Sequence, residues 1–165
     1  MRRVSMIFVA MLTTAIVLAG CAGKGAKRLA VVSNDTYKKR CGLCHFAYQP
    51  GLLPSKSWVK IIEVRDAHPG GTLSLDEKTI AELKSYLTLN SAENSQSKLS
   101  KKIMDSTRGD VSVRISEIPY IKRKHRDVAQ DVFARKAIGS GANCIACHKS
   151  AEAGVYDDDD VLIPE

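Results

Sequence analysis

The chain has 165 residues, with 25 Lys and Arg against 18 Asp and Glu, a formal charge of +7. That length leaves room for one domain or two small ones and excludes a large multidomain enzyme. The positive excess is milder than that of a nucleic-acid-binding chain. With 44% apolar but only 5% aromatic residues, a bulky cofactor would help to fill a thinly supplied core.

Residues 1–20 read as an export signal: a basic start at Arg2 and Arg3, an apolar run from Met6 to Leu18, then small residues. The run is shorter than the roughly 20 residues of a membrane span. It ends Leu18-Ala19-Gly20-Cys21, which resembles a bacterial lipobox and implies cleavage before Cys21 and lipidation of its thiol. Ala22, where an Asp would signal retention at the inner membrane, points to outer-membrane attachment on the periplasmic side. Removing the leader takes away Arg2 and Arg3 and leaves 23 basic against 18 acidic residues, or +5. Residues 21–30 read as a lipid-anchored spacer, small and basic.

Folding is expected from about Val31, with Asn34 or Asp35 capping a short helix that runs into Cys41. Gln49-Pro50-Gly51 and Pro54 mark a loop suited to covering one face of a cofactor. Trp58, Ile61 and Ile62 have helical spacing, so a helix over about 55–67 should deliver His68 at its end, with Trp58 in the core. Ser74 and Glu77 read as a capping box for a helix reaching Leu89, with Ile80, Leu83 and Leu87 as its apolar stripe. The polar stretch 90–100 is expected to be a linker, so the halves are taken as 31–98 and 99–165. In the second half, 111–115 alternates like a very short strand, and the basic run Lys122 to Arg126 reads as a solvated face around His125. A helix is expected over 127–137, before Gly139-Ser140-Gly141. Asp157 to Asp160 read as a solvated turn.

Of five cysteines, Cys21 belongs to the leader and four remain. They form Cys41-Gly42-Leu43-Cys44-His45 and Cys144-Ile145-Ala146-Cys147-His148, both C-x-x-C-H, the attachment sequence for c-type haem. On a helical turn, positions i, i+3 and i+4 share a face, so two thiols reach the two vinyl groups while the imidazole reaches the iron. Structural disulfides leave both trailing histidines unexplained. A thioredoxin-type centre lacks its alternating strands and helices. A four-cysteine zinc site would need pairs about 100 residues apart, against a usual 15 to 20.

The chain has four histidines. With His45 and His148 taken as proximal ligands, His68 and His125 remain for the two sixth positions. Methionine is the usual rival and raises the potential, but Met104 is the only methionine outside the leader. At most one haem can therefore be His/Met, and bis-histidine at both sites uses every histidine.

Taken together, these segments resemble the di-haem cytochrome c family often called DHC. The resemblance rests on Cys41 to Pro54 with Trp58, on Ile115-Ser116-Glu117-Ile118-Pro119-Tyr120 leading to His125, and on Asn143 to His148 with the Asp-rich turn and Ile163-Pro164. It departs from the family at His68-Pro69-Gly70, where an aromatic residue is expected after the histidine. The resemblance implies a mainly α fold of two small c-type cytochrome domains, each built around one covalent haem, with little or no strand. It also implies an electron carrier rather than an enzyme, with His45 and His68 on one iron and His148 and His125 on the other. Expected partners are a redox protein, either a monohaem cytochrome c or a membrane b-type cytochrome, and no nucleic acid. The rival from another class is a haem enzyme, a peroxidase or small-molecule reductase, with one iron open to ligand.

Overall fold

The computed structural model describes residues 28–68 and 71–165. The export signal, Cys21 and most of the spacer lie outside the described residues, as do Pro69 and Gly70.

Helix α1 (Asp35–Cys41) starts where the Asn34 side chain accepts the Tyr37 N–H at 2.6 Å and stops at Gly42, whose N–H donates to the Lys38 carbonyl at 3.0 Å. A Cβ on Gly42 would stand 2.4 Å from that carbonyl oxygen, so the turn into the first C-x-x-C-H excludes any side chain there. The next segment contains a short turn at Pro50–Leu52, with Leu52 and Leu53 fully buried in the core. Helix α2 (Ser55–Glu63) follows, and Trp58 on its inner face donates its indole N–H to the Pro50 carbonyl at 2.8 Å. The helical signal through Ala67 is broken in two: α2 ends at Glu63, and a separate turn at Arg65–Ala67 carries His68.

Helix α3 (Glu77–Leu89) packs on α2 and buries Leu83 and Leu87. Its cap is Asp76 rather than Ser74. Asp76 accepts the Thr79 N–H at 2.8 Å and the Thr79 hydroxyl at 3.0 Å, two bonds that hold its carboxyl below the usual range. The stretch 90–100 is built structure. Ser91, Ala92, Ser97 and Ser100 are buried, the Ala92 N–H bonds to Leu53 O at 2.9 Å, and Ser100 donates to Gly51 O at 2.8 Å. Polar composition misled here because these serines pack backbone on backbone with their hydroxyls satisfied.

Helix α4 (Lys98–Thr107) contributes Ile103 to the core and packs against α5 (Pro119–Lys124), which has Pro119 in its first turn. Residues 111–114 are not a strand, and Ile115–Glu117 is a single tight turn. The alternation arises because Val113 and Ile115 are only half-buried at the surface, with no neighbouring strand to pair with. Helix α6 spans only Gln130–Ala134, shorter than the segment expected, and α7 is one turn, Cys144–Cys147. Among the described residues there is no strand, only an isolated antiparallel bridge between His148 and Val161.

The mainly α architecture is as expected, and one apolar core runs through both halves, from Leu29 and Tyr37 through Leu83 to Ile103, Ile118 and Ala151. The folded part starts earlier than Val31. Leu29 is buried and its N–H donates to Gly154 O at 2.9 Å. Gly154 has φ of 75°, and a Cβ there would meet the Leu29 carbonyl at 2.3 Å, so glycine is needed both for the turn and for the docking of this first segment.

Candidate haem sites

At the first site, Cys41 is the last residue of α1, while 42–45 forms a bend rather than a helical turn. The shared-face reading therefore holds only for the second motif. His45 Nδ1 faces the Phe46 carbonyl at 2.8 Å. A carbonyl only accepts, so Nδ1 carries the hydrogen and Nε2 keeps its lone pair, the arrangement that orients a metal-binding imidazole. Across from it stands His68, carried by the turn after α2, with ring centroids 6.4 Å apart and planes 26° from parallel.

At the second site, α7 holds Cys144 and Cys147 one turn apart and ends at His148, whose N–H closes the turn on the Cys144 carbonyl at 2.8 Å. His125 comes from the end of α5 and faces His148 with centroids 6.0 Å apart and planes at 73°. Its Nδ1 is held by Ile121 O at 2.9 Å, which again frees Nε2. His148 Nδ1 is the buried side-chain nitrogen or oxygen, among the described residues, that has no hydrogen-bond partner. Burial, reinforced by the nearby His125, holds the His148 imidazole below its usual pKa and hence neutral, against an opposite pull from Asp158 and Asp160.

These spacings fit a haem iron. An imidazole nitrogen lies about 2.0 Å from a first-row metal it binds and ~1.1 Å from its own ring centre, which sets two rings on opposite sides of one ion about 6.2 Å apart. Among the described residues no three His, Cys, Asp or Glu converge on one point. Each site instead brings two imidazoles together, with ring centroids 6.4 and 6.0 Å apart, a pairing that would suit an iron arriving with its other ligands already in place. All four thiols are free of disulfides, and burial pushes Cys41 and Cys144 up to about 11, so both stay protonated in the apoprotein. Met104 lies on α4, packed against the apolar core.

Several residues that line the sites carried no role in the sequence reading. Tyr48 stacks on His45 at 4.5 Å, Phe46 meets Tyr48 edge-on, Phe133 lies 6.4 Å from His125, and Tyr156 lies 5.6 Å from His148. The available signal was scarcity. In a chain with so few aromatics, those placed next to the motifs are natural packing for a flat cofactor. The basic run around His125 is exposed as expected, but its charges are partly matched. Lys122 pairs with Glu117 at 3.2 Å, Lys124 with Asp158, and Arg126 with Asp127 at 3.4 Å.

A helical fold with two cysteine-pair motifs, each ending in an imidazole that faces a second one, defines a c-type cytochrome with two haem sites. The chain belongs to the dihaem cytochrome c family, whose model matches residues 37–156. It is similar to the solved diheme cytochrome c from Rhodobacter sphaeroides, with 35% identity, a TM-score of 0.66, and coverage of 76% of this chain and 98% of that one. A second Rhodobacter sphaeroides structure, of purified DHC, gives 35% identity, a TM-score of 0.62, and coverage of 77% and 100%. A diheme cytochrome type c from Shewanella baltica gives 30% identity, a TM-score of 0.64, and coverage of 79% and 93%. No curated protein sequence is similar to it at a significant level. The protein is thus an electron carrier with two covalently attached c-type haems.

Proposed function

We propose that both haems are bis-histidine, His45 with His68 and His148 with His125, attached through Cys41 and Cys44 and through Cys144 and Cys147, one in each of the halves 31–98 and 99–165. The observation that carries this reading is the pair of facing imidazoles at each site, 6.4 and 6.0 Å apart. The haems supply one-electron chemistry at the iron. The chain supplies the four imidazoles, the Nδ1 bonds that hold two of them, and a partly buried setting that tunes the potentials. With His45 and His68 holding one iron and His148 and His125 the other, no coordination position would be left for a small molecule, and nitrogen rather than sulfur ligands would keep the potentials low.

The protein works in the periplasm, tethered through a lipidated Cys21, with the outer membrane as the favoured site. Several acyl chains on one residue hold such a domain stably where a single chain does not. Its mildly basic surface suits an acidic redox partner, either a small monohaem cytochrome or a membrane b-type cytochrome.

The test is an absorption spectrum of the exported protein, oxidised and reduced, with haem counted per chain by pyridine haemochrome. We expect two low-spin c-type haems, no far-red methionine band, and no carbon monoxide uptake by the reduced protein at neutral pH. A methionine band would reassign one sixth ligand to Met104. Rapid stoichiometric carbon monoxide binding would overturn closed coordination and favour a ligand-binding haem enzyme.

A further inference from the structure

The two sites lie in different halves of the chain, yet one group of buried side chains joins them. Tyr48 lies on the His45 ring with planes 26° from parallel, and its hydroxyl donates across the fold to the carbonyl of Ala142, two residues before Cys144. The next residue, Gln49, is 1% exposed and spans the same gap. Its amide nitrogen donates to Ala151 O at 2.6 Å and Glu152 O at 3.3 Å, and its amide oxygen accepts the Tyr156 hydroxyl at 2.6 Å. Tyr156 in turn packs on the His148 ring, and the Ala151 N–H donates to the His148 carbonyl at 3.0 Å. Tyr37 locks the bridge from behind, donating its hydroxyl to Tyr48 O at 2.9 Å.

A buried glutamine with both ends of its amide satisfied is costly to place unless its position is fixed, and here it holds the Tyr156 ring beside His148 while its chain neighbour Tyr48 lies on His45. We propose that Tyr48, Gln49 and Tyr156 are positioning residues that hold His45 and His148 in one frame and form the connected path for electron exchange between the two sites. From the Tyr48 stack on His45 two branches cross the fold: one through the Tyr48 hydroxyl to the Ala142 carbonyl beside Cys144, the other along the chain to Gln49 and through the Tyr156 hydroxyl to the ring beside His148. The path moves a single electron from one site to the other, with no bond made or broken and no proton transferred. Burial pushes both phenols well above their usual range, so they remain neutral. The inference rests on the haem-ligand reading only for the two proximal histidines, since the bridge ends on His45 and His148 whatever fills the opposite positions.

The test uses the intact two-haem protein and the variants Tyr48→Phe, Tyr156→Phe and their double. Each keeps the ring and removes only the hydroxyl that crosses between the halves. The readout is the rate at which an electron placed on one haem by flash reduction equilibrates with the other, recorded beside the low-spin electron paramagnetic resonance spectrum and the melting curve. We expect the double variant to exchange about tenfold more slowly than the parent, with each single variant between. Tyr48→Leu should also shift the resonance of the His45 haem, because the stack is lost, whereas Tyr48→Phe should restore that signal. Exchange within about twofold of the parent in a folded double variant, or in Tyr156→Phe alone if the double does not fold, would overturn the proposal. A methionine band in the parent spectrum would overturn the sixth-ligand assignment and leave this comparison intact.

Discussion

At the scale of single residues, the histidines differ in how firmly they are held. His45 and His125 each donate Nδ1–H to a backbone carbonyl, while His148 is buried with that atom unpaired and is fixed by packing against Tyr156. Under the proposed bis-histidine ligation, replacing His68 or His125 would vacate one side of an iron and leave the thioether bonds alone. His68→Ala and His125→Ala should therefore each retain two haems per chain while opening one haem to carbon monoxide, read as one equivalent of uptake by the reduced protein. An unchanged spectrum in either variant would move that sixth ligand elsewhere, with Met104 the first alternative. The ring planes yield a second expectation. They lie 26° from parallel at the first site and 73° at the second, and the angle sets how far the axial ligands lift the degeneracy of the iron d orbitals. The oxidised protein should show two distinct low-spin resonance signals, a rhombic one from the first haem and a strongly anisotropic one from the second. Two identical signals would contradict these ring angles.

At the scale of elements, α2 is placed by a cap that lies far away in the chain. Its own N-cap position is Pro54, which offers no side-chain acceptor. Glu93 fills that role, accepting the Ser55 N–H at 2.9 and 3.0 Å and the Ser55 hydroxyl at 2.7 Å. Burial alone would raise the Glu93 carboxyl, but the bonds from Ser55, from its own backbone N–H and from Ser91 together outweigh it and hold it below the usual 4.5. The unfolded chain therefore takes up a proton more readily at this group. The Glu93 contribution to stability is present in full above that value and is lost as the pH falls through the lower folded one. Glu93→Ala should cost about 1 kcal/mol near neutral pH, in the range of a lost helix cap. The gap between parent and variant should close in chemical denaturation curves taken from about pH 6 down to about pH 3. A gap that stays constant across that range would assign the effect to packing rather than to the charged cap. None of this was legible locally. The 55–67 pattern announced a helix and Trp58 a core residue, but a cap supplied 38 residues away leaves no mark in a periodicity.

At the scale of the whole molecule, net charge and its placement govern how the carrier meets a partner. With residues 1–20 removed as proposed, the charge of +5 falls to about +3 when two oxidised haems, each roughly +1 at the iron and −2 from propionates, are included. Two cations on α5, Lys122 and Lys124, and Arg126 just beyond it are already matched, so the remaining field is modest and screening should act strongly on it, with a Debye length of about 8 Å at physiological ionic strength. Electron transfer to a small acidic redox protein should be faster than to a basic one of similar potential, and it should slow as salt is raised. A rate independent of salt would remove electrostatic steering from the account.

Much of the chemistry was determined by the sequence alone, because covalent haem attachment is a local matter of thiol and imidazole spacing. Two C-x-x-C-H motifs and two further histidines are countable without a fold, and the helices around Tyr37, Trp58 and Leu83 follow from caps and periodicity. Tertiary structure decided what depends on residues distant in the chain. It made 90–100 part of the packed body, left 111–114 without strand partners, and ended the first motif's helix at Cys41. It also set His68 opposite His45 and His125 opposite His148, and laid Tyr48, Gln49 and Tyr156 between the two sites. Such contacts join side chains more than a hundred positions apart in the case of Gln49 and Tyr156. They are settled by packing and by the need to pair every buried polar group, neither of which a linear pattern encodes.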